Sequence, residues 1–166
     1  GNLDVSKLKF PNKKFDLLSV LNGSKIVACS DEHFGKAENL LLPFKSKNMG
    51  NGWETRRRRG VGFDWVIIKL GKPGFIENFD IQTHYFKGNY PSFCSVQSYF
   101  SNTNININSI VNSSKKWEYL IKNLELKPHS SIKKQLSKKS KKINYIKLNI
   151  YPDGGISRIR SIGKIL

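Results

Sequence analysis

The chain is poor in cysteine, histidine, acidic residues and helical signal, and each shortage removes a class of explanation. Cys29 and Cys94 are the only two cysteines in 166 residues and form no CxxC pair, so neither a disulfide framework nor a zinc ribbon is encoded. Both thiols are expected to be buried. The three histidines, His33, His84 and His129, make no HxH or HExxH spacing, and neither a metal nor a cofactor is expected. There is no phosphate-binding loop, no GxSxG and no internal repeat. No apolar run approaches the roughly 20 residues that cross a bilayer, and "GNLDVSKLKFPNKKF" lacks the apolar stretch of a signal peptide. The reading is a soluble, cytoplasmic protein without a membrane partner. The first residue is Gly1 in place of Met, so the natural start is not legible.

Acidic residues number 12 against 29 Lys and Arg, a formal charge of +17. Such an excess raises the prospect of a polyanionic partner, but its distribution points elsewhere. Only six of the basic residues are Arg; the lysines are scattered or gathered in "SSIKKQLSKKSKK". The chain is equally rich in Asn and Ile, and Lys, Asn and Ile are the residues of AT-rich codons. Codon bias with solvated lysines accounts for the charge, and no nucleic-acid partner is expected.

What is present is an apolar pattern of period two. In "INYIKLNIY", Ile146, Leu148 and Ile150 alternate with Tyr145, Lys147 and Asn149, which predicts a half-buried strand entering the turn "PDGG". In "FIENFDIQTHYF", Phe79, Ile81, Thr83 and Tyr85 alternate with Asp80, Gln82 and His84. "DWVIIKL" is apolar on both faces, as in a central strand, and "SFCSVQSYF" and "SKIVACS" are further strands. "AENLLLP" makes at most two helical turns before Pro43, and "KKWEYLIKNLEL" is ambiguous between helix and strand. Many short strands punctuated by Gly, Pro, Asn and Asp give an all-β sandwich or jelly roll. With 38% apolar residues the chain fills one core, a single domain over 1–166. The Asn/Ser tract 101–114 and the Lys/Ser tract 127–142 read as surface insertions.

Four polar clusters could carry chemistry. "SDEHF" leaves a strand end with Asp31 and Glu32 beside a histidine, a set suited to acid–base work, or equally a capped turn leading into "GKAENLL". In "GWETRRRRG", an extended backbone would send Arg56 and Arg58 one way and Arg57 and Arg59 the other, so at most two converge on a ligand. Glu54 would share the side of Arg56 and pair with it, orienting a guanidinium for bidentate capture of a carboxylate. Asp80, Gln82 and His84 share a face that continues into "FKGNYP" with Asn89; this is a solvent face unless it lines a pocket. In "PDGGISRIR", Gly154 and Gly155 allow a sharp turn, and Arg158 and Arg160 share a face suited to an anion or an ion pair. Residues alone therefore lead to a β-sandwich with an arginine- and carboxylate-rich edge for a small polar anion.

Taken in order, "ACSDEHFGKAENLL", "GWETRRRRGVGFDWVIIKLG", "FDIQTHYFKGNYP" and "IKLNIYPDGGISRIR" resemble the allantoicase family from about Phe15 to Gly163. The resemblance implies a galactose-binding-domain-like jelly-roll β-sandwich made of one allantoicase repeat. It also implies hydrolysis of allantoate to ureidoglycolate and urea, a step of allantoin and purine catabolism. Allantoate bears one carboxylate and two ureido groups on one carbon. Under the resemblance, two of Arg56, Arg57, Arg58 and Arg59 meet the carboxylate and Gln82 and Asn89 meet the ureido groups. Asp31 or Glu32 moves protons with His84, while Glu54, Arg158 and Arg160 complete the substrate-binding set. Members of the family typically carry two tandem repeats, whereas each motif occurs once here, so a homo-oligomer is expected to supply a second half. The alternative is an inactive single-repeat module binding a small anion or a carbohydrate-like ligand. His33 stands where the family more often has an aromatic residue.

Overall fold

The computed structural model describes residues 14–165. Runs of Ile, Val and Phe too short for helices, separated by Gly, Pro and Asn, give strands throughout. The chain runs β1 (Phe15–Asp16), β2 (Lys25–Cys29), β3 (Trp53–Glu54), β4 (Asp64–Ile76), β5 (Asn78–Gln82) and β6 (Phe93–Tyr99). One helix, α1 (Ile107–Ser114), precedes β7 (Glu118–Glu125), β8 (Ser131–Gln135) and β9 (Lys142–Tyr151), and three short strands close the fold: β10 (Gly155–Ile156), β11 (Arg158–Arg160) and β12 (Ile162–Ile165). "AENLL" forms a single 3-10 turn, Ala37–Leu41.

The larger sheet has the order β1-β12-β4-β9-β6-β7, with β2 also on β4. Facing it are the sheet β11-β5-β8 and the small pair β10-β3. All named pairings are antiparallel. Between the layers Val66, Ile68, Val96, Leu148 and Ile150 pack with Phe79, Ile81, Ile159, Leu40 and Trp53 in one continuous core. This is the sandwich that the period-two pattern predicts.

The alternation of β9 predicts one solvated face, but Tyr145, Lys147 and Asn149 are all buried. The reason is α1, which lies across that side of the sheet, where Ile67, Ile110, Trp117 and Tyr145 form a second apolar cluster. Lys147 Nζ donates to Ser114 Oγ at 2.8 Å and sits 5.2 Å from the centre of the Trp65 ring. Burial, and then the charge of Lys115, push its ammonium down to about 8. Asn149 Nδ2 donates to Ser95 Oγ and Gln97 Oε1, each at 3.0 Å.

Both tracts read as insertions carry regular structure. The Asn-rich one supplies α1, capped by Asn106, whose Oδ1 accepts from the Ser109 N–H at 2.9 Å. The Lys-rich one supplies β8, which pairs along the whole of β5. "KKWEYLIKNLEL" resolves to strand β7 at the sheet edge, with only Ile121 of its eight residues fully buried. Cys94 is buried and Cys29 half-buried, and both are free thiols.

Candidate functional site

β3 is two residues long because it is clasped from both sides. Gly155 and Ile156 of β10 pair with Glu54 and Trp53, and Gly35 bridges to Glu54 from the other flank. A Cβ on Gly35 would strike the Gly52 carbonyl, so the close approach requires glycine. Past Glu54 no strand forms until Asp64, and the arginine run crosses the end of the sandwich as irregular chain. Its order comes from two carboxylates instead of a sheet. The Arg56 N–H donates to Asp31 Oδ2 at 2.7 Å, and the Arg58 N–H donates to Asp153 Oδ2 at 2.6 Å.

The side chains follow their backbones. Arg56 Nη2 lies 3.3 Å from Asp31 Oδ1. Arg58 Nη2 lies 2.9 Å from Asp64 Oδ1, which also accepts from Ser30 Oγ at 2.8 Å. Arg57 and Arg59 are exposed and, among the described residues, neither makes an ion pair. The run thus divides two and two as strand alternation predicts, but by anchoring of alternate amides. The expected Glu54–Arg56 pair does not form. Glu54 Oε2 accepts instead from Asn89 Nδ2 at 2.6 Å, and the Asn89 carbonyl accepts from the Gly155 N–H at 2.8 Å.

Asp31 and Glu32 stitch the preceding turn. Burial alone would raise the Asp31 carboxyl, but N–H donors from Arg56 and His33 and the Arg56 charge outweigh it and hold the group below its ordinary value. The Asp31 carbonyl accepts from Trp53 Nε1 at 2.8 Å. Glu32 Oε2 accepts from the Ala37 N–H at 2.9 Å, realising the capped-turn reading of this loop. Behind them, burial and then the charges of Glu32 and Asp31 push the Cys29 thiol up to about 11, which keeps it a thiol.

His84 belongs to another neighbourhood. Its N–H donates to Ser157 Oγ at 3.0 Å and its ring stands 5.6 Å from that of His129. Burial, and then His129 and Lys45, push its imidazolium down. No described contact joins it to Asp31 or Glu32, so the expected acid–base pairing is not assembled within this chain. The polar row Asp80, Gln82, His84 also fails as a solvent face. β5 is the middle strand of its sheet, Gln82 is buried with its Nε2 on Asp80 Oδ2 at 3.0 Å, and the strand ends there.

Arg158 and Arg160 do share a face, since both reach the Phe44 carbonyl, but that face is closed. Arg158 is 0% exposed. It donates through Nε to Phe44 O at 2.9 Å, through Nη1 to Asn51 O and Ser157 O at 2.6 Å each, and through Nη2 to Asn51 Oδ1 at 2.6 Å. Burial, and then the charge of Arg160, push its guanidinium down to about 10. Arg160 lies 3.4 Å from Asp16. The pair braces the 43–51 segment, which corrects its reading as an open anion site. Asp64, which lies in the motif of the arginine run and reads there as part of an ion-paired edge, does pair with Arg58; sequence reasoning missed Asp153, which lies within "PDGGISRIR" and fixes the Arg58 amide.

The loop end therefore presents two guanidiniums without an ion pair among the described residues, Arg57 and Arg59, just after Glu54, which accepts a hydrogen bond from the distant Asn89. The guanidiniums can take a carboxylate; the pair can accept and donate to a ureido group. Among the described residues no three His, Cys, Asp or Glu gather as metal ligands. A groove of 790 Å³ opens between Phe100, Leu120, Leu136 and Ile143, and no predicted site residue lines it.

Known proteins bear on the family and the fold. The family model described as the allantoicase repeat matches residues 15–166. The probable allantoicase of Pseudomonas fluorescens (strain SBW25) is 45% identical over 156 residues, covering 93% of this chain and 46% of the relative. That of Stutzerimonas stutzeri (strain A1501) is 43% identical over 157 residues, covering 93% and 47%. The chain thus spans about half the length of the curated relatives it matches. Among solved structures, the allantoicase of Saccharomyces cerevisiae superposes with a TM-score of 0.79 at 35% identity, over 92% of this chain and 44% of that one. The C-terminal domain of a chitobiase from Bacteroides fragilis shares the fold, with a TM-score of 0.66 at 16% identity over 93% of this chain and 99% of that one. Ordered motifs, sandwich and relatives converge: the chain belongs to the allantoicase family.

Proposed function

We propose that this chain takes part in the hydrolysis of allantoate to ureidoglycolate and urea, within purine (allantoin) catabolism. The observation that carries the reading is the anchoring of Arg56 and Arg58 by Asp31, Asp64 and Asp153, which leaves Arg57 and Arg59 uncommitted. These two receive the substrate carboxylate through charge-assisted hydrogen bonds. Glu54 accepts from a ureido N–H while Asn89, fixed by it, completes the contact.

Cleavage of the central C–N bond places a water-derived hydroxyl on the carbon and a proton on the departing ureido nitrogen. Glu32, the neighbouring carboxylate, is assigned the base that receives the proton of water and returns it to the departing nitrogen. Asp31, held below its ordinary value, is a weakened base and stays as the anchor of Arg56. Gln82, Arg158 and Arg160 are assigned to the scaffold, and His84 stands outside the reacting groups. A second unit, supplied by a homo-oligomeric partner, covers the open loop end. The setting is cytoplasmic, with neither nucleic acid nor membrane as partner; among the described residues no helix is long and apolar enough to cross a bilayer.

The second reading is a small-anion or carbohydrate-like binding module without turnover, and it is favoured because no described contact joins His84 to Asp31 or Glu32. Urea release from allantoate decides. Release by the purified chain, abolished in Arg57→Ala/Arg59→Ala, supports hydrolysis. Calorimetric binding without urea supports the module, and neither binding nor release overturns both.

A further inference from the structure

Tyr85 (φ 72°) and His129 (φ 45°) are the non-glycine residues with left-handed backbone among the described residues, and they hold each other. The Tyr85 N–H donates to His129 Nδ1 at 2.7 Å, and the His129 N–H donates to Phe86 O at 3.1 Å. Left-handed backbone is unfavourable for a tyrosine or a histidine, and in each turn a hydrogen bond from or to the other offsets that cost. Thr83 laces the two turns further: its N–H donates to Ser130 O at 2.8 Å, and its Oγ1 accepts from the Ser130 N–H at 3.0 Å and donates to Lys127 O at 2.5 Å.

The turn carries Phe86, which is wholly buried beneath the clasp around β3. A Cβ on Gly155 would run into the Phe86 ring, and one on Gly52 would come within 3.0 Å of it. Gly155 is the partner of Glu54 in the β10–β3 pair and donates to the Asn89 carbonyl. The position of Phe86 therefore sets the floor under Glu54 and Asn89.

A ring nitrogen accepts a hydrogen bond only through a free lone pair, and the Tyr85 N–H is directed at Nδ1 of His129. We propose that His129 is a positioning residue: its Nδ1 lone pair fixes the 83–86 turn and, through Phe86, the Glu54–Asn89 pair. The groups facing His129 are the His84 ring at 5.6 Å and the Tyr85 ring at 5.4 Å. Behind His84 stand Lys45 and Asp80, and Asp80 is engaged by Ser131 Oγ at 2.5 Å and Gln82 Nε2 at 3.0 Å.

The activity readout rests on the proposed function; a second readout does not. His129→Asn keeps an acceptor, since Oδ1 stands roughly where Nδ1 stood, and Asn tolerates left-handed backbone. His129→Ala removes the acceptor. Urea release by His129→Ala is expected to fall at least about tenfold, chiefly through a rise in KM, and His129→Asn is expected to stay within about threefold of wild type. In ¹⁵N NMR spectra, the amides of Tyr85, Phe86 and Gly155 are expected to shift in His129→Ala and to keep their wild-type positions in His129→Asn. Equal activity of His129→Ala and wild type, or unchanged amides in His129→Ala, overturns the proposal. If no variant releases urea, the functional reading fails and the NMR comparison alone decides the role of His129. If His129→Ala does not fold, a shift of the same three amides in His129→Asn overturns the proposal.

Discussion

The two groups of arginine in this molecule are chemically identical and oppositely committed. Arg158 is sealed from solvent with its guanidinium distributed over the carbonyls of Phe44, Asn51 and Ser157 and the Asn51 side chain. Arg57 and Arg59 are exposed, with no ion pair among the described residues. The difference lies in who satisfies the neighbours. Around Arg158 the backbone itself is the acceptor, and the arginine is what lets those carbonyls stay buried. In the run, Asp31 and Asp153 take up the amides of residues 56 and 58, which orders the backbone without occupying the intervening side chains. A buried guanidinium is therefore a structural element here, and the exposed, unpaired ones on the pinned backbone are those proposed to meet the ligand.

Four substitutions can break or sharpen this contrast. The largest effect is expected for Arg158→Leu, which orphans buried carbonyls and leaves a void, at a cost of about 4 kcal/mol in urea denaturation; a loss under about 1 kcal/mol would remove the structural half of the comparison. Arg57→Ala/Arg59→Ala is expected to lower allantoate turnover or binding about 100-fold, about 2.7 kcal/mol, with an unchanged melting temperature. A parallel loss of stability would mean that these side chains are also bracing.

Asp31→Asn tests the pin. Because the folded value is held below the ordinary one, wild type gains stability that is present above about pH 4 and is lost as the solution is acidified through the lower folded value. Its advantage over Asp31→Asn, measured by denaturant titration, is expected at pH 7 and to shrink at pH 2 to 3. The smallest effect belongs to His84→Ala, with turnover within about threefold of wild type. A 100-fold loss would return His84 to the reacting groups.

The sandwich was legible because period-two patterning reports burial directly, as in β5, where Phe79 and Ile81 are buried and Asn78 and Asp80 only partly so. The polar face of β9 was not, because its cover is α1, drawn from an Asn-rich tract whose apolar residues are few; only Ile110 and Ser114 of that helix are fully buried. At the site, motif reading singled out Asp31, Glu54, Asn89 and the arginine run, which hydrogen bonds and ion pairs link at one end of the sandwich. Partner choice was misread because it depends on contacts remote in sequence: Glu54 chooses Asn89, 35 residues away, over Arg56, and Arg58 takes its amide partner from Asp153, 95 residues away. The burial of Arg158 follows from Asn51, 107 residues distant. Strand periodicity carries no information about such pairs.

The pinning of the arginine run also governs how a protease would meet it. A trypsin-like enzyme must draw several residues around the cut bond into an extended form, which at this run means pulling the amides of Arg56 and Arg58 away from Asp31 and Asp153. Beyond Arg59 lie Gly60, Val61 and Gly62, all exposed, with Val61 fully so. Cleavage should begin after Arg59 and spread toward Arg56 only as the anchors give way, and a bound anion on Arg57 and Arg59 should slow the first cut. Four basic residues in a row become a built-in gauge of whether the proposed site is occupied.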